Sequence, residues 1–237
     1  MPLVDILDAA FERPARGAED TGFVLRIPRL RIDSGQVLAL IGPSGSGKST
    51  LIDLLALLRF PGSARLFSVC GADVMALAAR RDLETATTVR AQSMGVVLQT
   101  GGLLPSLPLI ENVLLAQRLL GVPDRDWAMH LLGRLGLDTL LRRLPAQLSV
   151  GQRQRAAIVR ALAHRPALVL ADEPTSALAS GQAADALDLL ISTTRSCGAA
   201  LIVASHDTDL LQARGLAVRA IRVQGPLAVL DPQPVGD

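Results

Sequence analysis

The stretch with the most evident chemistry is Gly42-Pro43-Ser44-Gly45-Ser46-Gly47-Lys48-Ser49-Thr50. It fits the spacing GxxxxGK[ST], in which a glycine-rich loop leads into a helix. The glycines let the backbone turn tightly and aim successive N–H groups at phosphate oxygens. The orphan amides and positive dipole end of the following helix add to the same anion site. Lys48 is placed to reach the β- and γ-phosphates of a nucleotide, and the Ser49 hydroxyl to bind Mg2+. Lys48 carries information of its own. The chain has 24 basic residues, and this is its single lysine. Arginine serves everywhere else, so composition did not supply lysine here. A compact ammonium fits inside a closed loop, whereas a planar guanidinium is bulkier and suits bidentate pairing.

A second acid-bearing segment lies downstream. The apolar run Ala167-Leu168-Val169-Leu170-Ala171 leads directly into Asp172-Glu173-Pro174. Carboxylates at the carboxyl end of a buried strand suit nucleotide hydrolysis. Asp172 is a candidate for the metal shell, and Glu173 for polarising a water aimed at the γ-phosphate.

These side chains need elements to hold them. Apolar runs of strand length occur at Phe23–Ile27, Val37–Ile41, Met94–Leu98, Ala167–Ala171, Ala200–Ala204 and Val218–Val223. Helical patterns begin near Lys48, Pro108, Arg125, Gly151, Ser180 and Asp207, the first running through Leu51, Ile52, Leu54, Leu55 and Leu58. Several of the strands are apolar at every position, which predicts a mostly parallel sheet covered by helices on both faces. From Pro105 to Leu148 the pattern is helical without a convincing strand, so a helical insertion is expected in an α/β core. Gln233–Asp237 is expected to form a frayed tail.

Composition bounds the rest. The chain has 237 residues, 49% hydrophobic, with 22 acidic side chains and a net charge of +2. Such a sequence is not intrinsically disordered, and its charge does not suggest binding to nucleic acid through phosphate neutralisation. Cys70 and Cys197 form no metal-binding pattern. No apolar run reaches the ~18 residues of a spanning helix, and the N-terminus lacks the layout of a signal peptide. A cytosolic location is expected, with any membrane crossing done by another polypeptide.

The ordered motifs resemble the ATP-binding-cassette ATPases, the cytosolic motors of ABC transporters. Gly42–Thr50 is similar to their Walker A loop, Gln99 to the Q-loop glutamine, Leu148-Ser149-Val150-Gly151-Gln152 to the LSGGQ signature and Leu168–Glu173 to the Walker B strand. Ser176-Ala177-Leu178-Ala179 stands at the D-loop and His206 at the switch histidine, while His130 and His164 lack such context. The resemblance implies one domain over residues 1–237. Its nucleotide-binding α/β core would span 1–98 and 166–237, with a small N-terminal antiparallel β region. A helical subdomain carrying the signature would span about 99–165.

The resemblance further implies ATP and Mg2+ as cofactors, with Ser49, Gln99 and Asp172 at the metal and Lys48, Glu173 and His206 in catalysis. Ser149, Gly151 and Gln152 would meet the nucleotide of a second ATPase subunit, identical or not, in a head-to-tail dimer. A membrane permease would be the other partner, holding the protein on the cytoplasmic face of the inner or plasma membrane. The segment Gln99–Leu107, with Ile110-Glu111-Asn112-Val113, is similar to lipoprotein-releasing and macrolide-export ATPases, and Leu103, Leu104 and Leu107 are candidates for a docking surface. A weakly hydrolysing regulatory ATPase and a soluble non-transport ATPase are the alternatives.

Three departures stand out. Val150 replaces the first signature glycine and Ala179 the D-loop aspartate, which predicts slower or asymmetric hydrolysis. The chain has no tyrosine to stack on adenine; Phe11 stands nearest the expected place if the loop Pro14–Asp20 is longer, and Phe23 reads as core.

Overall fold

The computed structural model describes residues 1–15, 22–99 and 101–232. Its strands are β1 (Val4–Arg13), β2 (Phe23–Ile32), β3 (Val37–Ile41), β4 (Leu66–Val69), β5 (Ala72–Asp73), β6 (Met94–Val97), β7 (Leu168–Asp172), β8 (Ala200–Ala204), β9 (Ala217–Gln224) and β10 (Leu227–Leu230). Its helices are α1 (Lys48–Leu55), α2 (Val74–Arg80), α3 (Leu83–Ser93), α4 (Leu109–Leu120), α5 (Arg125–Arg134), α6 (Val150–Leu162), α7 (Ser180–Ser196) and α8 (Thr208–Gln212).

The strands form one sheet in the order β5-β4-β1-β2-β10-β9-β3-β8-β7-β6. The run β9-β3-β8-β7-β6 is parallel throughout. Its apolar strands bury both faces. Val169, Ala171, Leu201 and Val203 point into a core shared with α4 to α7, while Leu168, Leu170, Ala200 and Ile202 meet Leu51, Leu54 and Leu55 of α1 on the other side. Period-two alternation with both sides covered is what makes every position of these strands apolar. The rest of the sheet is mixed. β1 pairs antiparallel with β2 and β4, β4 with β5 and β10 with β9, while β10 lies parallel to β2. The antiparallel region is therefore larger than expected and draws in the C-terminal strand.

Between β6 and β7 no strand occurs among the described residues; α4, α5 and α6 fill the interval. They pack through Val113, Leu131, Leu132 and Ile158, all at most 1% exposed. Several expected boundaries shift. The strand expected over Phe23–Ile27 continues to Ile32, and the one expected to reach Leu98 stops at Val97. Helix α1 ends at Leu55, so Leu58 is 52% exposed rather than part of its apolar face. The expected frayed tail, Gln233–Asp237, lies outside the described residues, as do Thr100 and most of the loop after Pro14.

Candidate active site

Strand β3 delivers the chain into the glycine-rich loop, and α1 carries it away. Two glycines are there for steric reasons. At Gly42 (φ 155°) a Cβ would lie 2.7 Å from Ser46 Oγ and 2.9 Å from the Ile221 carbonyl oxygen. At Gly47 (φ 98°), which caps α1 in a left-handed conformation, a Cβ would meet the Phe23 ring at 2.6 Å. The Lys48 ammonium folds back under the loop, donating to the carbonyls of Gly42 (2.8 Å) and Pro43 (3.2 Å), and the residue is only 7% exposed. Beside it opens a cleft of about 250 Å³ lined by the loop residues 45–50 together with Arg13 and Phe23. Ser46 Oγ is buried with no hydrogen-bond partner. Ser49 is exposed at the start of α1, and Thr50 is half-buried.

The end of β7 supplies the acids. Asp172 Oδ1 is buried and unpartnered. Burial raises the Asp172 carboxyl above the usual range, Glu173 and Asp53 push the same way, and Ser49 and Lys48 pull it back. Glu173 adopts φ 48°, a left-handed conformation in a residue that also precedes a proline. Such strain costs about 1–3 kcal/mol and persists where the surroundings over-determine it. Here they do. The Glu173 N–H donates to the Ala204 carbonyl of β8 at 2.9 Å, and Ser176 caps the Glu173 carbonyl through its N–H (3.3 Å) and its hydroxyl (3.1 Å). The His206 imidazole, just past β8, places Nδ1 2.9 Å from Glu173 Oε2. Lys48, Asp172, Glu173 and His206 thus come together at the carboxyl ends of three neighbouring parallel strands, where open α/β sheets bind ligands.

The signature residues stand apart from that cleft. Ser149 caps α6, accepting from the Gln152 N–H at 3.2 Å, while the Gln152 side chain accepts from the Ser149 N–H at 2.8 Å. This reciprocal capping box uses the Gln152 N–H and the side-chain oxygen of Gln152, at a helix start where Ser149 and Val150 are exposed. Gln99 is exposed beyond β6, and the register Val97↔Ala171 carries the chain past the Asp172 end of β7.

Residues 25–176 match the sequence profile described as ABC transporter. The chain belongs to the ABC transporter ATP-binding family. It is 40% identical over 201 residues to the lipoprotein-releasing system ATP-binding protein LolD of Paramagnetospirillum magneticum, covering 84% of this chain and 87% of that one. It is equally similar to LolD of Gluconobacter oxydans, covering 84% of this chain and 85% of the relative. Among solved structures, the dimeric post-hydrolysis state of the ATP-binding cassette MJ0796 bound to ADP and phosphate superposes with a TM-score of 0.76. It shares 27% identity and covers 95% of this chain and 96% of that one. The cassette described here is accordingly an ATP-binding subunit that hydrolyses ATP to drive transport.

The cassette's departures from pattern now have a structural meaning. Val150 occupies the first turn of α6 and is absent from the residues with positive φ, so the signature backbone does not require glycine there; its side chain is 53% exposed. Ala179 caps α7 in extended geometry (φ −66°, ψ 153°) without a side-chain hydrogen bond. Phe23 packs against the core, as read from sequence, and its ring also lines the cleft beside the glycine-rich loop, where it pairs across the sheet with Arg13 on β1. Phe11 instead packs partly buried, with the Arg59 guanidinium 5.8 Å from its ring centroid. The pairing of Arg13 with Phe23 is visible only once β1 is known to be a strand.

Two further side chains escaped the sequence reading. Arg160 of α6 donates to the carbonyls of Gly101 (3.2 Å) and Gly102 after Gln99. Asn112 of α4, fully buried, accepts from the Leu104 N–H at 2.7 Å and donates to the Leu107 carbonyl at 2.8 Å. Above this segment lies an apolar groove of about 320 Å³ between α3, β6, α4 and α6. Leu104 lines it, whereas Leu103 packs into the core. The asparagine in the sequence Glu111-Asn112-Val113 was the available signal, because a polar residue on an apolar helix face needs partners.

Proposed function

We propose that the cassette is the motor of a lipoprotein- or lipid-releasing exporter, working with a separate membrane permease. The observation that carries the hydrolytic part is the Glu173–His206 contact at 2.9 Å beside a lysine-bearing phosphate loop. In this reading ATP occupies the cleft, its β- and γ-phosphates replacing the loop carbonyls as partners of Lys48. Glu173 accepts a proton from the attacking water, and His206 orients the carboxylate. The orphaned Asp172 oxygen near Ser49 fits a hard divalent cation, which favours oxygen ligands. Among the described residues no group of three His, Cys, Asp or Glu side chains could hold a metal alone, so the phosphates complete the set. Ser49, Asp172 and Gln99 would hold Mg2+, which neutralises charge on the transferring phosphoryl group.

The exposed, capped start of the signature helix, which does not line the cleft, supports a head-to-tail dimer in which Ser149 and Gly151 meet the partner's nucleotide. The dimeric state of the similar cassette bound to ADP and phosphate supports the pairing of two such subunits. We assign residues 1–98 and 166–237 to the nucleotide core and about 99–165 to the helical subdomain. The groove lined by Leu104 is the docking place for the permease, consistent with its apolar lining. Among the described residues no helix is long and apolar enough to cross a membrane. In this reading the permease holds the cassette at the cytoplasmic face. The cargo class rests on the two LolD relatives.

Affinity purification from membranes, with mass spectrometry of integral partners, tests this reading. A permease should co-purify, ATP-dependent release of lipoprotein should appear in proteoliposomes, and Glu173→Gln should abolish both release and phosphate production. Wild-type turnover in Glu173→Gln, or the lack of any membrane partner, overturns it.

A further inference from the structure

Helix α6, which begins with the signature, is bonded to the loop that carries Glu173. Gln154 is 3% exposed, and its Nε2 donates to the Pro174 carbonyl at 2.7 Å. Pro174 immediately follows Glu173 and is itself buried. Proline has no N–H, so this carbonyl is the only backbone polar group the residue offers. On the other side, Glu173 is fixed through its own N–H to Ala204 and its carbonyl to Ser176. The Gln154 amide therefore closes the frame around a glutamate held at φ 48°.

We infer that Gln154 is a positioning residue for Glu173, acting through the Pro174 peptide. This rests on the reading of Glu173 as the base. Gln154 does not line the cleft; it sets where the Glu173 carboxylate stands. It lies five residues beyond Ser149 on one helix, roughly 7.5 Å along the axis at 1.5 Å per residue. A buried amide donor facing a buried carbonyl has no solvent to replace it, so losing the donor frees the peptide to shift. Displacements near 1 Å at a catalytic group can reduce turnover by up to about 100-fold.

The test is a double-mutant cycle on the cassette co-purified with its permease. Gln154→Met keeps length and volume but removes the donor. We expect its kcat for phosphate release to fall by about 10- to 100-fold, with the KM for ATP changed by less than about twofold because the phosphate loop is untouched. In the Glu173→Gln background, followed by single-turnover measurements, Gln154→Met should cost nothing more. Should the methionine variant fail to fold, Gln154→Asn, which keeps an amide but draws it back from the Pro174 carbonyl, carries the same cycle. Unchanged kcat in Gln154→Met overturns the inference, as does an equal loss on both backgrounds. Wild-type turnover in Glu173→Gln alone would instead overturn the assignment of Glu173 as the base.

Discussion

Nδ1 of His206 lies 2.9 Å from Oε2 of Glu173, and the two residues follow adjacent parallel strands, β8 and β7. Their surroundings differ. The Glu173 side chain is 13% exposed and that of His206 66% exposed, so the glutamate is held by the fold and the histidine reaches in from the surface. One carboxylate oxygen is engaged, and the other is left for a water.

That asymmetry predicts unequal losses. Glu173→Gln should lower kcat by about 100- to 10,000-fold, the usual range for removing a general base. His206→Ala should cost less, and the double variant no more than Glu173→Gln alone, because both act through one carboxylate. Steady-state phosphate release on the three variants decides it; additive losses would mean that His206 works independently.

Lys48 has no room to become larger. Its ammonium sits beneath the loop against two carbonyls, at 7% exposure. Lys48→Arg keeps the charge but places a planar fork where a point charge fits. Affinity for ATP, measured by calorimetry, should fall at least about tenfold, the equivalent of about 1.4 kcal/mol. Near-normal affinity would show that the loop opens to admit a guanidinium.

The aromatic wall of the cleft gives a sharper contrast. Phe23 lines it and Phe11 does not. Loss of one base–aromatic stack is worth about 1–3 kcal/mol, so Phe23→Ala should raise the KM for ATP by roughly tenfold. Phe11→Ala should leave that KM within about twofold. The reverse order would place adenine against β1 instead.

Much of this site was legible because its parts lie on strands buried on both faces. Continuous apolar runs announced β3, β7 and β8, and the glycines, acids and histidine follow them directly. β1 was illegible for a definable reason. Val4 and Ile6 are buried on even positions, but Ala9 is buried on an odd one, and Asp8 between them takes φ 49°. The partner strand switches face at Pro28, with Leu25 and Ile27 buried before it and Leu30 and Ile32 after. A face switch destroys the period of two on which strand reading depends. β4 and β5 are too short to show a period, and α3 buries only Ala86, so it shows no apolar stripe. Gln154 and Arg160 bond to backbone carbonyls far away in sequence, where residue identity leaves no trace.

Asp172 shows a cost of function. Burial, aided by Glu173 and Asp53, raises its carboxyl above the ordinary value of 3.8. The folded state then binds the proton more tightly than the unfolded chain does. Stability from this group is present at low pH and is lost as pH rises from about 3.8 through the higher folded value. At neutral pH the ionised carboxylate is a burden that a bound cation would relieve. Asp172→Asn should therefore raise the melting midpoint of the nucleotide-free protein, by about 2–4 °C if the relief is near 1 kcal/mol, while hydrolysis is lost. The stabilisation should shrink when both proteins are melted near pH 4. A lower midpoint at neutral pH would contradict the burial argument.

Ala179 poses the opposite case, a position where function and stability should improve together. It holds cap geometry at the start of α7, a helix of 17 residues, without any side-chain acceptor. Ala179→Asp would accept from an amide of the first turn and place a negative charge at the positive dipole end. Gain of about 1 kcal/mol is expected, read as a rise of about 2–4 °C in melting midpoint. Because Ala179 is exposed near the signature, the same carboxylate is available to a second subunit in a head-to-tail dimer. Ala179→Asp should then also raise the turnover of the assembled transporter. Val150→Gly serves as the comparison. It frees 53% exposed apolar surface at the α6 terminus but adds a glycine to a helix, so it should lower the midpoint by a few degrees even where turnover rises. A stabilised Ala179→Asp with no gain in transporter turnover would confine the effect of the missing aspartate to capping and overturn the expectation that Ala179 slows hydrolysis.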